Sequence, residues 1–266
     1  DSPAPTPSSW GPETDEHQFV WGDDMYMAIP LPARMTAAGL DDAGGTYARF
    51  VATQHALLAS HLKPTPREGG GLFWHGRDAK SGAPSCCKWG RANGWAMMTH
   101  VETLSALSAS NAPFAKEALA AARQIFFRHA TAIAAVQNTS DGRWHQLLDN
   151  TTMWLETSAT AMFTVALVRG VDAGWLAGPP FNPGLARAWE GLQRVIHASG
   201  YVAGMCDGFG IHSSPADYQG CKQLYGKSQP GLGSVLKAAV LLAGRKLGAA
   251  LALHYSDSTT TRSRAR

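Results

Sequence analysis

Lys88-Trp89-Gly90-Arg91-Ala92-Asn93-Gly94-Trp95 runs directly into Ala96-Met97-Met98-Thr99-His100-Val101-Glu102-Thr103-Leu104-Ser105-Ala106-Leu107. From Arg91 onward, Trp95, Met98, Val101 and Leu104 recur at three-residue steps and one four-residue step, the spacing that stacks side chains on one helical face. The spacing predicts a helix from Arg91 to Leu107 with that face in a core, while polar and aromatic residues crowd the end where the chain enters it. The same arrangement, a loop dense in chemistry followed by a helix with little, recurs along the chain.

Working outward, helical periodicity covers Thr46 to Leu62, Pro113 to Val136, Glu156 to Arg169, Pro183 to Ala198 and Gly233 to Leu253. An earlier helix, Asp24 to Ala37, contains Pro30 and Pro32, which remove backbone donors and so must kink or break it. Short strands are expected at Leu72 to His75, Trp144 to Leu148 and Tyr201 to Met205. Residues 1–17, rich in Pro, Ser and Thr, read as a flexible N-terminal segment, 18–253 as the domain and 254–266 as a polar basic tail. The fold class is all-α, with about seven helices packed as hairpins and loops gathered at one end.

Composition narrows the function. The 266 residues are 45% hydrophobic and 16% charged, enough apolar material for a sizeable core. The net charge of +3 is scattered except at Arg262, Arg264 and Arg266, so no basic face marks a nucleic-acid binder. The most apolar stretch, Val235 to Leu253, is interrupted by Lys237, Arg245 and Lys246, which argues against a membrane span. Cys86, Cys87, Cys206 and Cys221 lack the paired spacing of a structural zinc site, although a Cys206–Cys221 disulfide is compatible with the sequence. Nucleophile-elbow, phosphate-loop, zinc-protease and dinucleotide motifs are all missing.

Three clusters remain. In Trp21-Gly22-Asp23-Asp24-Met25-Tyr26-Met27, Asp23 and Met27 share a helical face with Trp21 ahead of them. Either aspartate also suits the first turn of a helix, where the dipole favours an acid. Leu72-Phe73-Trp74-His75-Gly76-Arg77-Asp78 offers His75 on a loop, either a cleft residue or an ordinary loop histidine. Lys88 to Trp95 brings Trp89, Arg91 and Trp95 together. Indole rings stack on pyranose faces and a guanidinium forks onto a carboxylate, so this trio suits an acidic sugar; the same tryptophans would also serve as core packing.

Taken in order, the clusters resemble the unsaturated rhamnogalacturonyl hydrolases of glycoside hydrolase family 105 and the related unsaturated glucuronyl hydrolases of family 88. Trp21 to Met27, Leu72 to His75 and Lys88 to Trp95 match successive motifs of that group. They are followed by Asp141 to Trp144, Leu155-Glu156-Thr157-Ser158-Ala159-Thr160-Ala161-Met162-Phe163 and Gly170 to Leu176. The resemblance spans roughly residues 18–245 and implies an (α/α)6 barrel, a six-hairpin toroid that this chain enters partway, without the N-terminal hairpins. Such a partial wall would leave apolar helix faces uncovered.

The resemblance further implies that Asp23 is the general acid and base, that Trp21, Met27, Trp89 and Trp95 line the sugar site, and that His75 and Arg91 are polar contacts to an acidic oligosaccharide. It implies no metal and no cofactor, and leaves oligomeric state open. The implied chemistry is hydration of the C4=C5 double bond of an unsaturated uronic acid. Two departures stand out: Ala92 replaces a glycine of the motif, which would restrict a turn there, and a second active-site aspartate belongs to the N-terminal hairpins. Two competing readings follow, a non-catalytic remnant that binds acidic sugar, and an ordinary glycosidase or epimerase whose second catalytic group would be Glu156 or His75.

Overall fold

The computed structural model describes residues 19–68, 70–208, 210–226 and 231–245. The flexible segment and basic tail expected at the two ends, and the last turns of the helix expected to reach Leu253, lie outside them. Helices dominate: α1 (Asp24–Ala28), α2 (Pro30–Ala37), α3 (Thr46–Leu62), α4 (Gly90–Ala109), α5 (Ala115–Ala135), α6 (Thr157–Asp172), α7 (Phe181–Gln193) and the short α8 (Pro215–Gln219). A further helical stretch occupies 232–245. Pro30 and Pro32 act as expected: the first helix ends at Ala28, and α2 restarts with a proline in its opening turn, where no backbone donor is lost.

Two layers emerge from burial. Helices α4 and α6 are buried on nearly every side, from Gly90 to Leu107 and from Thr157 to Gly170. They pack against each other, and α2 flanks α4. Val235 and Ala238 of the 232–245 stretch join Ala161 and Val165 of α6 in one apolar cluster. Helices α3, α5 and α7 are amphipathic and bury one stripe each onto this inner row. The alternation of inner and outer helices is the hairpin architecture expected from the sequence.

Close contact in the inner row depends on small residues. A side-chain carbon at Gly94 would lie 2.6 Å from the Met162 sulfur, so α4 meets α6 there only because glycine leaves the space. Lower down, Glu102 of α4 is 6% exposed and ties the row together electrostatically. Arg169 of α6 reaches it at 2.7 Å, Arg34 of α2 at 3.3 Å and Lys237 at 3.9 Å. Burial pushes the Glu102 carboxyl up, but the hydrogen bonds and charges of Arg34 and Arg169 outweigh it and hold the group below its ordinary value.

Three small antiparallel ladders shape the loops. β1 (Phe19–Trp21) pairs with β2 (Gly76–Asp78), β3 (Trp144–His145) with β4 (Leu155–Glu156), and β5 (Val202–Cys206) with β6 (Gln223–Gly226). The strand expected over Leu72 to His75 is displaced: pairing begins at Gly76. Leu72 and Phe73 instead pack inward, and the Phe73 backbone pairs with the Asn93 side chain rather than a strand. Ala92 lies inside α4 with ordinary helical backbone, so the expected loss of turn freedom does not arise. Its methyl group in fact takes the space beside Gly22, where a side-chain carbon would be 2.9 Å away.

Candidate active site

The inner helices α1, α4 and α6 present their N-terminal ends to the loops that carry the sequence clusters. Asp23 stands at the N-cap position of α1, yet its side chain makes no capping bond. Asp24 takes the local task instead, its Oδ2 accepting the Trp21 backbone N–H at 2.8 Å. The two readings left open for this pair are thereby divided between neighbours, and the Asp23 carboxyl is released toward His75.

Backbone pairing sets that approach. Trp21 is registered against Gly76 in the β1–β2 ladder, and the Gly22 N–H donates to the His75 carbonyl at 2.8 Å. Across this join His75 Nε2 lies 3.8 Å from Asp23 Oδ2. Both atoms are sealed from solvent and neither makes a hydrogen bond. The gap exceeds a direct hydrogen bond, but leaves both atoms able to reach one small oxygen. Burial pushes the Asp23 carboxyl up to about 6, with the Arg91 charge opposing, the Asp24 charge adding to the rise and the nearby Trp95 indole trimming it. Burial, with the charges of His212 and Arg91, pushes His75 down to about 3.

The neutral His75 ring is oriented from behind. Its Nδ1 lies 2.5 Å from the Tyr218 hydroxyl, whose own ionisation is pushed well up by burial. The phenol therefore keeps its proton, and with that proton directed at Nδ1 the imidazole carries its own on Nε2, the atom that faces Asp23. Trp21 meets the His75 ring edge-on at 5.5 Å and Trp89 lies at 4.6 Å on another side.

Arg91 is buried and stacked at 4.7 Å on Trp89. Its fork holds the Cys206 carbonyl at 2.7 Å, the Asp207 carbonyl at 2.5 Å and the Ser158 hydroxyl at 3.4 Å. The structure thus brings Trp21, Asp23, His75, Trp89, Arg91 and Trp95 into one neighbourhood. Met27 lies one turn along α1 and is 65% exposed, outside the buried cluster.

Glu156 is fully buried and fully used. Its carboxylate accepts the N–H groups of Ser158, Ala159 and Cys206 at 3.2, 2.6 and 2.9 Å and the Ser158 hydroxyl, capping α6 and anchoring β5. A second catalytic carboxylate is therefore not to be sought there. Tyr218 escaped the sequence reading because it lies on α8, a five-residue helix too short to show a period. The usable signals were a capping box, Ser214 with Asp217, that starts α8, and the Cys206–Cys221 disulfide that closes the loop carrying it. A second disulfide joins the adjacent Cys86 and Cys87, and the Cys87 carbonyl accepts the His75 N–H at 2.9 Å. Among the described residues no group of His, Cys, Asp or Glu is placed to hold a metal ion, and no helix is long and apolar enough to cross a membrane.

Known proteins share this fold. A structure from Klebsiella pneumoniae, described as a possible member of glycoside hydrolase family 105, superposes with a TM-score of 0.73 at 21% identity, covering 86% of this chain and 58% of its own. A family 105 glycoside hydrolase from Clostridium acetobutylicum gives 0.70 at 23% identity, covering 84% of this chain and 64% of its own. In sequence, a protein of Agrobacterium fabrum is 32% identical over 140 residues, 48% of this chain and 57% of that one. The unsaturated rhamnogalacturonyl hydrolase YesR of Bacillus subtilis is 26% identical over 179 residues, 66% of this chain and 48% of that one. The chain spans about half the length of these curated relatives. The model of glycosyl hydrolase family 88 matches residues 8–240, which takes in every cluster that builds the site, and the chain belongs to that family.

Proposed function

We propose that this chain carries the acid–base site of an enzyme that releases unsaturated uronic acid from the non-reducing end of oligosaccharides made by polysaccharide lyases. The observation that carries the reading is Asp23: a carboxyl freed from its cap, pushed up to about 6 by burial, and facing His75 Nε2 at 3.8 Å. A group with that value is protonated often enough near neutrality to act as an acid and ionised often enough to act as a base.

The reaction follows from those two states. The Asp23 carboxylic acid gives its proton to C4 of the enol ether while the C4=C5 electrons form the new C–H bond. The oxocarbenium centre left at C5 is attacked by water, whose proton returns to the Asp23 carboxylate. The resulting C5 hemiketal opens to a ketone, and the hemiacetal this creates at C1 expels the neighbouring sugar. His75, neutral and holding a proton on Nε2, orients the attacking oxygen beside Asp23. Trp21, Trp89 and Trp95 form the aromatic surround, and Met27, exposed beyond it, contributes an apolar edge to the sugar. Arg91 contributes positive charge for the uronate, although its hydrogen bonds already go to Cys206, Asp207 and Ser158.

Loss of the ultraviolet absorbance of the conjugated double bond in an unsaturated disaccharide tests this, with Asp23→Asn as the control. Absorbance loss that persists unchanged in Asp23→Asn would refute the role of Asp23. A second reading is binding of acidic sugar without turnover, which needs only the Arg91 charge and the Trp89 face it stacks on. It predicts saturable binding of the disaccharide by a folded protein whose absorbance trace stays flat.

A further inference from the structure

Behind the site, three histidines and an asparagine form a continuous buried file across α3, α4 and α5. His55 Nε2 lies 2.7 Å from His100 Nδ1, His100 Nε2 lies 3.0 Å from His129 Nδ1, and His129 Nε2 lies 3.0 Å from Asn93 Oδ1. All four side chains are within 1% of full burial. Nothing in the acid–base chemistry above uses them.

The direction of the file is fixed at its Asn93 end. The carboxamide donates from Nδ2 to the Phe73 and Trp89 carbonyls, both at 2.9 Å, while its Oδ1 accepts the Phe73 N–H at 2.8 Å. Carbonyls require the amide nitrogen and an N–H requires the amide oxygen, so the group cannot be flipped. His129 must then donate from Nε2, which leaves its Nδ1 to accept from His100 Nε2, and His100 Nδ1 to accept from His55 Nε2. Each ring is neutral with its proton on Nε2. A second proton on His100 or His129 would set two donors against each other, and burial already pushes His55 down to about 4 and His129 to about 3.

The surroundings reinforce neutrality. Phe73 stacks on His129 at 4.2 Å and meets His100 edge-on, and Phe126 covers His100. Lys63 and Arg128 share with His129 the wall of a cavity of about 430 Å³ between α3 and α5, so the charged side chains on that wall are cations.

We propose that Asn93 is a positioning residue for the Asp23–His75 pair, and that His129, His100 and His55 hold its carboxamide in the one orientation that does this. Asn93 grips Phe73 by both backbone groups, two residues before His75, and grips the Trp89 carbonyl at the entry to α4. The inference rests on the proposed reaction for its catalytic consequence but not for its geometry.

Long-range proton–nitrogen correlation spectra of the ¹⁵N-labelled protein test it without substrate. The expected result is three buried rings with neutral, Nε2-protonated patterns at pH 7, unchanged at pH 5.5; a proton on Nδ1 or an imidazolium pattern in any of them at pH 7 overturns the file. His129→Phe keeps an aromatic ring against Phe73 but removes the donor to Asn93, and His129→Gln supplies an amide donor in its place. The His75 ring resonances should move in the first variant and return toward wild type in the second. For an active enzyme, kcat should fall about tenfold in His129→Phe with KM held, a barrier change of one decade in rate. A folded His129→Phe protein with wild-type His75 resonances and rate overturns the proposal. An inactive wild type with the expected spectra overturns the reading of function alone.

Discussion

Replacing Asp23 with asparagine should abolish turnover and at the same time stabilise the fold at neutral pH. The carboxyl is pushed from 3.8 to about 6 in the folded chain. That rise of about 2 pH units is worth about 3 kcal/mol at roughly 1.36 kcal/mol per unit. The sign follows from proton counting. Between pH 4 and pH 6 the folded state holds this proton more tightly than the unfolded state, so stability falls as pH rises through that window and levels off above it. The wild type therefore carries the full cost of a buried, ionised Asp23 at pH 8 and little of it at pH 3.5. The Asp23 side chain is 28% exposed, and residual solvation trims the effect to about 1–3 kcal/mol. Asparagine has nearly the same shape and no charge to bury. Urea unfolding of both proteins across pH 4.5–8 measures the difference, and every other titrating group cancels in it. The advantage of Asp23→Asn should grow by about 1–2 kcal/mol across that range. A difference that stays flat, or shrinks as pH rises, would refute the claim that burial holds this carboxyl protonated, and with it the argument for Asp23 as the acid.

Tyr218→Phe removes the proton donated to His75 Nδ1 and leaves a buried acceptor unsatisfied; kcat should fall about tenfold with KM little changed, read from initial rates, because a lost bond of this kind costs about 1–3 kcal/mol. Glu102→Gln leaves Arg34, Arg169 and Lys237 without their shared carboxylate. Thermal unfolding should show a loss of about 1–3 kcal/mol, because the cations left behind are partly solvated, and in the wild type this contribution should fade as acid protonates Glu102. Substituting Cys206 and Cys221 together with serine opens the loop that carries Tyr218. Denaturant unfolding should register a loss of about 3 kcal/mol, the entropy of closing a loop of this size, while a double variant as stable as the parent would show that packing alone holds the loop.

What could be read from the chain without coordinates divides along a physical line. Helix α3 matches its expected limits at Thr46 and Leu62, because one side of its periodic pattern meets solvent and its ends are marked by Gly45 and Lys63-Pro64. Helix α4 was legible for another reason: apolar residues at core spacing, even though its polar residues are buried as well. Thr99, His100, Glu102 and Thr103 look like a solvated face in sequence, yet each is at most 6% exposed, because α4 lies in the inner row between α2, α5 and α6. Periodicity records alternation between core and water, and an inner helix of a double wall has almost none.

The site divides in the same way. Asp23, Arg91 and the tryptophans stand out because part of the cluster is local in sequence, Trp21 beside Asp23 and Trp89 beside Arg91 and Trp95. Tyr218 does not, since its partner His75 is 143 residues away and joined to it only through folding. Asn93 was in plain view within the Trp89–Trp95 motif, but its role depends on His55, His100 and His129, contributed by three different helices. A lone histidine at a core position carries no sign in sequence that it belongs to a file. The hydrogen-bond direction that makes the file a unit comes from a single amide oxygen and two carbonyls, which only the folded chain brings together. Residues grouped in a sequence motif are thus easier to recognise than residues that hold them still, and the second group is where mutation should most often lower kcat without altering KM.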